Sequence, residues 1–188
     1  MEKLIKNYLA AFDELNTLVS FRFRSMNKDD KKRTETIIDD LLSFLILAYE
    51  NGIQDVSQML KENIQPDIQQ MYSTIYLEID GKNFSDRAIE HIESNDESAL
   101  IELVQDEYHR VYESAKANGA TSAKKKNASK TWKTVGDDKV RDTHAYLDGI
   151  TVPIAEKFYT YDGDSALYPG NFEKAENNCG CRCIAVYS

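Results

Sequence analysis

Through residue 118 the apolar side chains of this chain return every three or four positions, and that spacing limits what it can fold into more than any other feature. Side chains at those steps share one face of an α-helix. Leu4, Ile5, Tyr8, Leu9, Phe12, Leu15, Leu18 and Val19 predict a helix over residues 3–22 with one buried face, followed by a polar loop at residues 25–32. A second helix should carry Ile37, Ile38, Leu41, Leu42, Phe44, Leu45 and Ala48, with Gly52 as its end or as a bend before Ile53, Val56, Met59, Leu60 and Ile64. Pro66 fixes a break or a first helical turn. The steps Ile68, Met71, Tyr72, Ile75, Tyr76 and Ile79 predict another helix, although residues 73–79, STIYLEI, also suit a strand. Ser85 is read as the cap of a short helix through Ile92. Ser94 and Glu97 form a capping-box pattern opening a helix that buries Leu100, Ile101, Val104, Tyr108, Val111, Tyr112 and Ala115 and stops at Asn118 and Gly119. Residues 1–118 are therefore expected to be a mostly helical bundle or hairpin.

The last third has another character. It holds all three cysteines, the only tryptophan, two of three prolines and five of eight glycines. Residues 119–130 are small, polar and basic, and are read as a linker or loop. Their run Lys124, Lys125, Lys126, continued by Lys130 and Lys133, has two readings: a solvated, self-repelling segment, or a finger that touches nucleic-acid phosphates. Residues 131–188 should form a small α+β domain, giving the chain an α+β fold class. A strand at Thr131–Val135 pairs there with the β-prone end Cys183–Tyr187 in a short sheet, and a short helix spans Lys139–Leu147. An extended piece is expected around Lys157–Tyr161.

Composition narrows the function classes. A net charge of −9 argues against a surface devoted to nucleic acid. No run approaches the roughly 18 apolar residues of a membrane span. The first residues, MEKLIKNYLAAFDEL, alternate charged and apolar side chains where a secretory signal would be uninterruptedly apolar, so a cytosolic product without membrane contact is expected.

His144 and Asp148 lie four residues apart, on neighbouring turns of one face if the helix persists, which is how a carboxylate orients an imidazole in metal sites and general bases. The bland alternative is a core histidine and a turn-capping aspartate. Cys179, Cys181 and Cys183 are spaced too tightly for an ordinary zinc knuckle. With His144 they are nevertheless a candidate ligand set for a structural zinc, two thiols plus His144 and an acid being enough for a tetrahedron; the alternative is small buried apolar residues. A thiol nucleophile served by His144 is a further type-level option, without any oxyanion-hole signature. Neither GxGxxG nor GxxxxGK[ST] occurs. His91 and His109 are read as surface residues of amphipathic helices. No catalytic residue is assigned.

The order Trp132, Asp138, Arg141, His144, Leu147, Asp148, Gly149, Phe158, Pro169, Gly170, Cys181, Arg182, Cys183 resembles the phage minor head proteins, the Mu F-like head-morphogenesis family, over about residues 105–187. Trp132, Asp138, Arg141, His144, Asp148, Gly149, Phe158, Cys181 and Cys183 match its pattern. The usual tail of that family is Asn-Cys-Arg-Cys, whereas Asn178 here is followed by Cys-Gly-Cys-Arg-Cys, so Cys179 is an extra thiol or the register is shifted by two. The resemblance implies a structural protein made in the bacterial host cytoplasm and built into the head interior, with the portal protein and other capsid components as partners and a part in DNA packaging or delivery. The competing expectation is a metal- or thiol-dependent nuclease-like effector using His144, Asp148 and a cysteine.

Overall fold

The structure is a computed structural model that describes residues 2–28, 30 and 32–188. Asp29 and Lys31 of the polar loop, and the side chain of Leu4 on the expected helix face, lie outside the described residues. Five helices come first: α1 (Glu2–Ser25), α2 (Arg33–Leu60), α3 (Ile68–Ile75), α4 (Phe84–Glu93) and α5 (Glu97–Ser122). The rest is β1 (Ser129–Lys133), α6 (Asp142–Ala145), β2 (Thr151–Pro153), β3 (Phe158–Tyr159), β4 (Ser165–Ala166), α7 (Ala175–Asn178) and β5 (Ile184–Tyr187). The fold is α+β, with helices gathered at the N-terminal side and short antiparallel sheets at the other.

The helical layer buries the periodic residues, including Tyr8, Leu15, Ile37, Leu41, Leu45, Leu100, Val104, Tyr108 and Val111. Helices α2 and α5 form its centre, and two glycines set how closely they approach. A Cβ at Gly52 would lie 2.6 Å from the Tyr112 carbonyl oxygen and 2.8 Å from Ala115 Cβ; one at Gly119 would lie 2.6 Å from Val56 Cγ1. Both glycines were expected to end or bend a helix. Instead each sits within one, and close packing explains it.

Other boundaries differ for local reasons. Helix α2 stops at Leu60, where Lys61 turns left-handed at φ 56°, so Ile64 lies beyond it. Helix α3 ends at Ile75 because Ile79 and Lys82 exchange backbone hydrogen bonds across an Asp80–Gly81 turn with both residues at positive φ. Asn83, with Asp86 completing a capping box, starts α4 in place of Ser85. Ser94 closes α4, left-handed Asn95 reverses the chain, and Asp96 caps α5. Helix α5 runs past Asn118 and Gly119 to Ser122.

The expected pairing of β1 with β5 is present, Trp132 lying opposite Ala185 and Lys130 opposite Tyr187. An unforeseen third strand, β2, pairs with the other side of β1, and β3 and β4 make a separate hairpin. The outer edge of β5 is covered by α5. Lys116 Nζ donates to the Ala185 carbonyl at 2.9 Å, Glu113 Oε2 accepts from the Ala185 N–H at 3.1 Å, and the two side chains pair with each other at 2.5 Å with no exposure. This buried ion pair satisfies backbone groups that a further strand would have taken. Ile184 belongs to the helical core, and Ala185 and Tyr187 pack with Val56, Leu60 and Ala120, so sheet and helices share one interior.

Candidate functional site

Behind the sheet lies a second core of Trp132, Leu147, Phe158, Ala166, Phe172, Cys181 and Cys183. Alternation along β1 turns Trp132 and Lys130 inward. The Trp132 ring meets Phe158 edge-on at 5.2 Å, Phe172 at 5.6 Å and His144 edge-on at 5.5 Å. The His144 ring stacks on Phe172 at 5.2 Å. One turn of helix, α6, carries His144 into this core.

Nδ1 of His144 lies 3.6 Å from Cys181 Sγ and 3.5 Å from Cys183 Sγ, and the three donor atoms all fall within 4.8 Å of one another. Residues 181 and 183 point to the same side of an extended backbone, which lets tight spacing bring both sulfurs to one imidazole. Cys179 is not with them. It ends α7, is exposed, and gives its carbonyl to the Arg141 guanidinium. Cys179 is thus the thiol left outside this cluster, which Cys181 and Cys183 supply. Gly180, between Cys179 and Cys181, adopts φ +63°, a left-handed conformation open to Gly and Asn.

His109 was expected at the surface and is 1% exposed. Its Nδ1 is 2.5 Å from the Tyr8 hydroxyl, its Nε2 is buried without a hydrogen-bond partner, and the Cys181 thiol acts on the ring electrostatically. One turn earlier on the same helix, Asp106 Oδ1 accepts from the Gly180 N–H at 2.7 Å and so fixes the backbone just before Cys181. Burial raises the pKa of Asp106, and that hydrogen bond opposes it. The sequence signal for His109 was its place among Tyr108, Val111 and Tyr112, which line the buried face of α5.

Electrostatics divide the two thiols. Cys181 is held well below the usual thiol value, first by a hydrogen bond from Cys183, which outweighs its burial, with His109 and His144 adding to the effect. Cys183 is raised, chiefly because it gives that hydrogen bond and because it is buried. Burial disfavours charge on His109, but Cys181 beside it overcomes this and raises the imidazole. With 2% and 3% exposure, neither sulfur is open to a substrate.

The remaining expected residues frame this core. Asp148 does not orient His144, because α6 ends at Ala145; it accepts from the Thr134 N–H at 2.9 Å and lies 3.4 Å from Lys133 Nζ. Gly149 at φ +82° donates its N–H to the Trp132 carbonyl. Asp138 is exposed, and Arg182 instead grips Asp137 with two hydrogen bonds of 2.8 and 2.9 Å. Lys124, Lys125 and Lys126 are exposed, whereas Lys130 is buried with its Nζ on the Ile154 carbonyl, which removes it from a phosphate-contacting set. Asp164, which sequence reasoning did not single out, accepts from the N–H groups of Ser165, Glu173 and Lys174 and from the Asn177 amide. It holds the loop that carries Phe172.

A family model described as Phage Mu protein F like protein matches residues 50–186, extending well before the 105–187 span read from the motif. No curated protein matches the chain. No solved structure does so either.

Proposed function

This chain belongs to the Phage Mu protein F like family, a family of phage head morphogenesis proteins, and on that premise we propose that it is a minor head protein stationed at the portal vertex. The observation that carries the reading is the family match, which spans α5, the sheet and the Trp132–Cys183 core together. In this reading the helical layer docks on the portal or the capsid interior during assembly in the bacterial cytoplasm, and the protein stays inside the head. The C-terminal core holds a loop-rich fold in shape and does no chemistry, which its sealed thiols favour.

Two surface features fit such a role. Ile68, Tyr72, Tyr76 and Leu77 form an exposed apolar strip at α3, with Tyr72 and Tyr76 stacked at 6.0 Å, the kind of patch that meets another protein. Lys124, Lys125 and Lys126 stand free at the end of α5 as the place where packaged DNA would be touched. No helix among the described residues is long and apolar enough to cross a membrane. The test is co-purification with the portal protein of the same phage, together with deletion of the gene. Portal-bound chain and defective heads are expected; heads formed at normal yield and infectivity without the protein would overturn the reading.

A further inference from the structure

We propose that the chain binds one zinc ion in a closed tetrahedral site made by Cys181 Sγ, Cys183 Sγ, His144 Nδ1 and His109 Nε2, and that this ion fastens α5 to the C-terminal core. The donor set differs from the one suggested by sequence alone. Cys179 leaves it and His109 enters it.

Three of the four donors, His144, Cys181 and Cys183, already stand together as around an ion, whereas His109 lies outside that cluster and would be drawn in on binding. With zinc–sulfur bonds of about 2.3 Å and zinc–nitrogen bonds of about 2.0–2.1 Å, tetrahedral angles place a sulfur and a nitrogen roughly 3.5 Å apart. His144 Nδ1 stands 3.6 and 3.5 Å from the two sulfurs. Both thiols and both imidazoles are at least 97% buried, so no water reaches them to complete an open coordination shell. A closed shell of four protein donors is the structural type of zinc site.

His109 is the fourth donor because of what it lacks. Its Nε2 is buried with no hydrogen-bond partner, a costly state for an imidazole nitrogen, and Cys181 is the first group to act on the ring electrostatically. Its other nitrogen already has the supporting contact that zinc-bound histidines carry, the Tyr8 hydroxyl at 2.5 Å. Gly170 packs against the same edge of the ring: at φ +83° it passes so near that an added Cβ would lie 3.1 Å from His109 Cδ2 and 3.3 Å from Nε2. Asp106 fixes Gly180 and hence the approach of Cys181. Zinc binding to this set leaves two thiolates and two neutral imidazoles on the ion, so every proton those four groups carry beforehand beyond that state passes to solvent, with no redox change. The tie would run from α5, through the metal, to α6 and the start of β5.

The experiment is metal analysis of the full chain, purified under reducing conditions without chelator, joined to cobalt(II) reconstitution of the same protein. One zinc per chain is expected. Cobalt should give the intense visible bands of a tetrahedral site with thiolate charge transfer. Cys179→Ser should keep full metal content. His109→Gln should weaken zinc retention against a competing chelator by more than the roughly 10–100-fold that loss of a supporting partner costs. Zinc near zero, with no cobalt spectrum on the folded wild-type chain, would overturn the site. Undiminished retention in His109→Gln would overturn the fourth ligand. Neither result bears on portal docking, which is tested separately.

Discussion

His144 illustrates how one side chain can be read from sequence as reactive and be built as structure. It stacks on Phe172, meets the edge of Trp132 and brings Nδ1 to two sulfurs, all within a sealed core. His144→Ala should lower stability by about 3 kcal/mol, the scale of deleting a buried ring, as read from chemical denaturation. Asp164 gives a second residue-scale expectation. Burial works to raise its pKa, but the hydrogen bonds from Asn177, Ser165, Lys174 and Glu173 prevail and depress it. A carboxylate with a depressed folded-state pKa stabilises fully above the unfolded value of about 4 and ceases to do so as the pH falls through the folded one. Wild-type stability should therefore drop below about pH 4. Asp164→Asn should be less stable at neutral pH and should lose less on acidification, as measured by thermal unfolding across pH 2–6, a range set by the unfolded carboxylate value of about 4.

At the scale of elements, α5 does most to integrate the molecule. It packs on α2 through Gly52 and Gly119, covers the β5 edge with Glu113 and Lys116, and presents Asp106 and His109 to the cysteine loop. Gly52→Ala gains about 1 kcal/mol of helix propensity, but its methyl would press on a backbone oxygen and on Ala115, a clash costing about 1–3 kcal/mol. A net loss of stability is expected. Gly119→Ala, which meets a movable Val56 side chain, should lose less. Lys116→Met would leave Glu113 buried without its cation, and burial already raises that carboxyl's pKa. A loss of about 3 kcal/mol or more is expected, and a double-mutant cycle with Glu113→Gln should show strong coupling.

For the whole molecule, helical periodicity was legible because burial of one face repeats with the backbone, and the strands at Thr131 and Ile184 were legible from β-branched and aromatic alternation. Boundaries set by short-range geometry were harder: the Asp80–Gly81 turn cut α3 short, and Asn83 took the capping position from Ser85. The motif order led to Trp132, His144, Phe158, Cys181 and Cys183, which do converge. His109 and Lys130 escaped because a polar side chain on a helix or strand reads as exposed unless its distant partner is known, here the Tyr8 hydroxyl and the Ile154 carbonyl. At this scale Tyr72→Glu, on the exposed strip, should leave the fold intact while reducing co-purification with portal protein several-fold. The most direct test of the central claim, that the buried histidine–cysteine core holds the molecule together, is amide hydrogen exchange on wild type beside His144→Ala. Protection should fall across residues 129–187 and along α5 near Asp106 and His109, while α1 and α2 keep theirs; unchanged protection throughout would contradict the account.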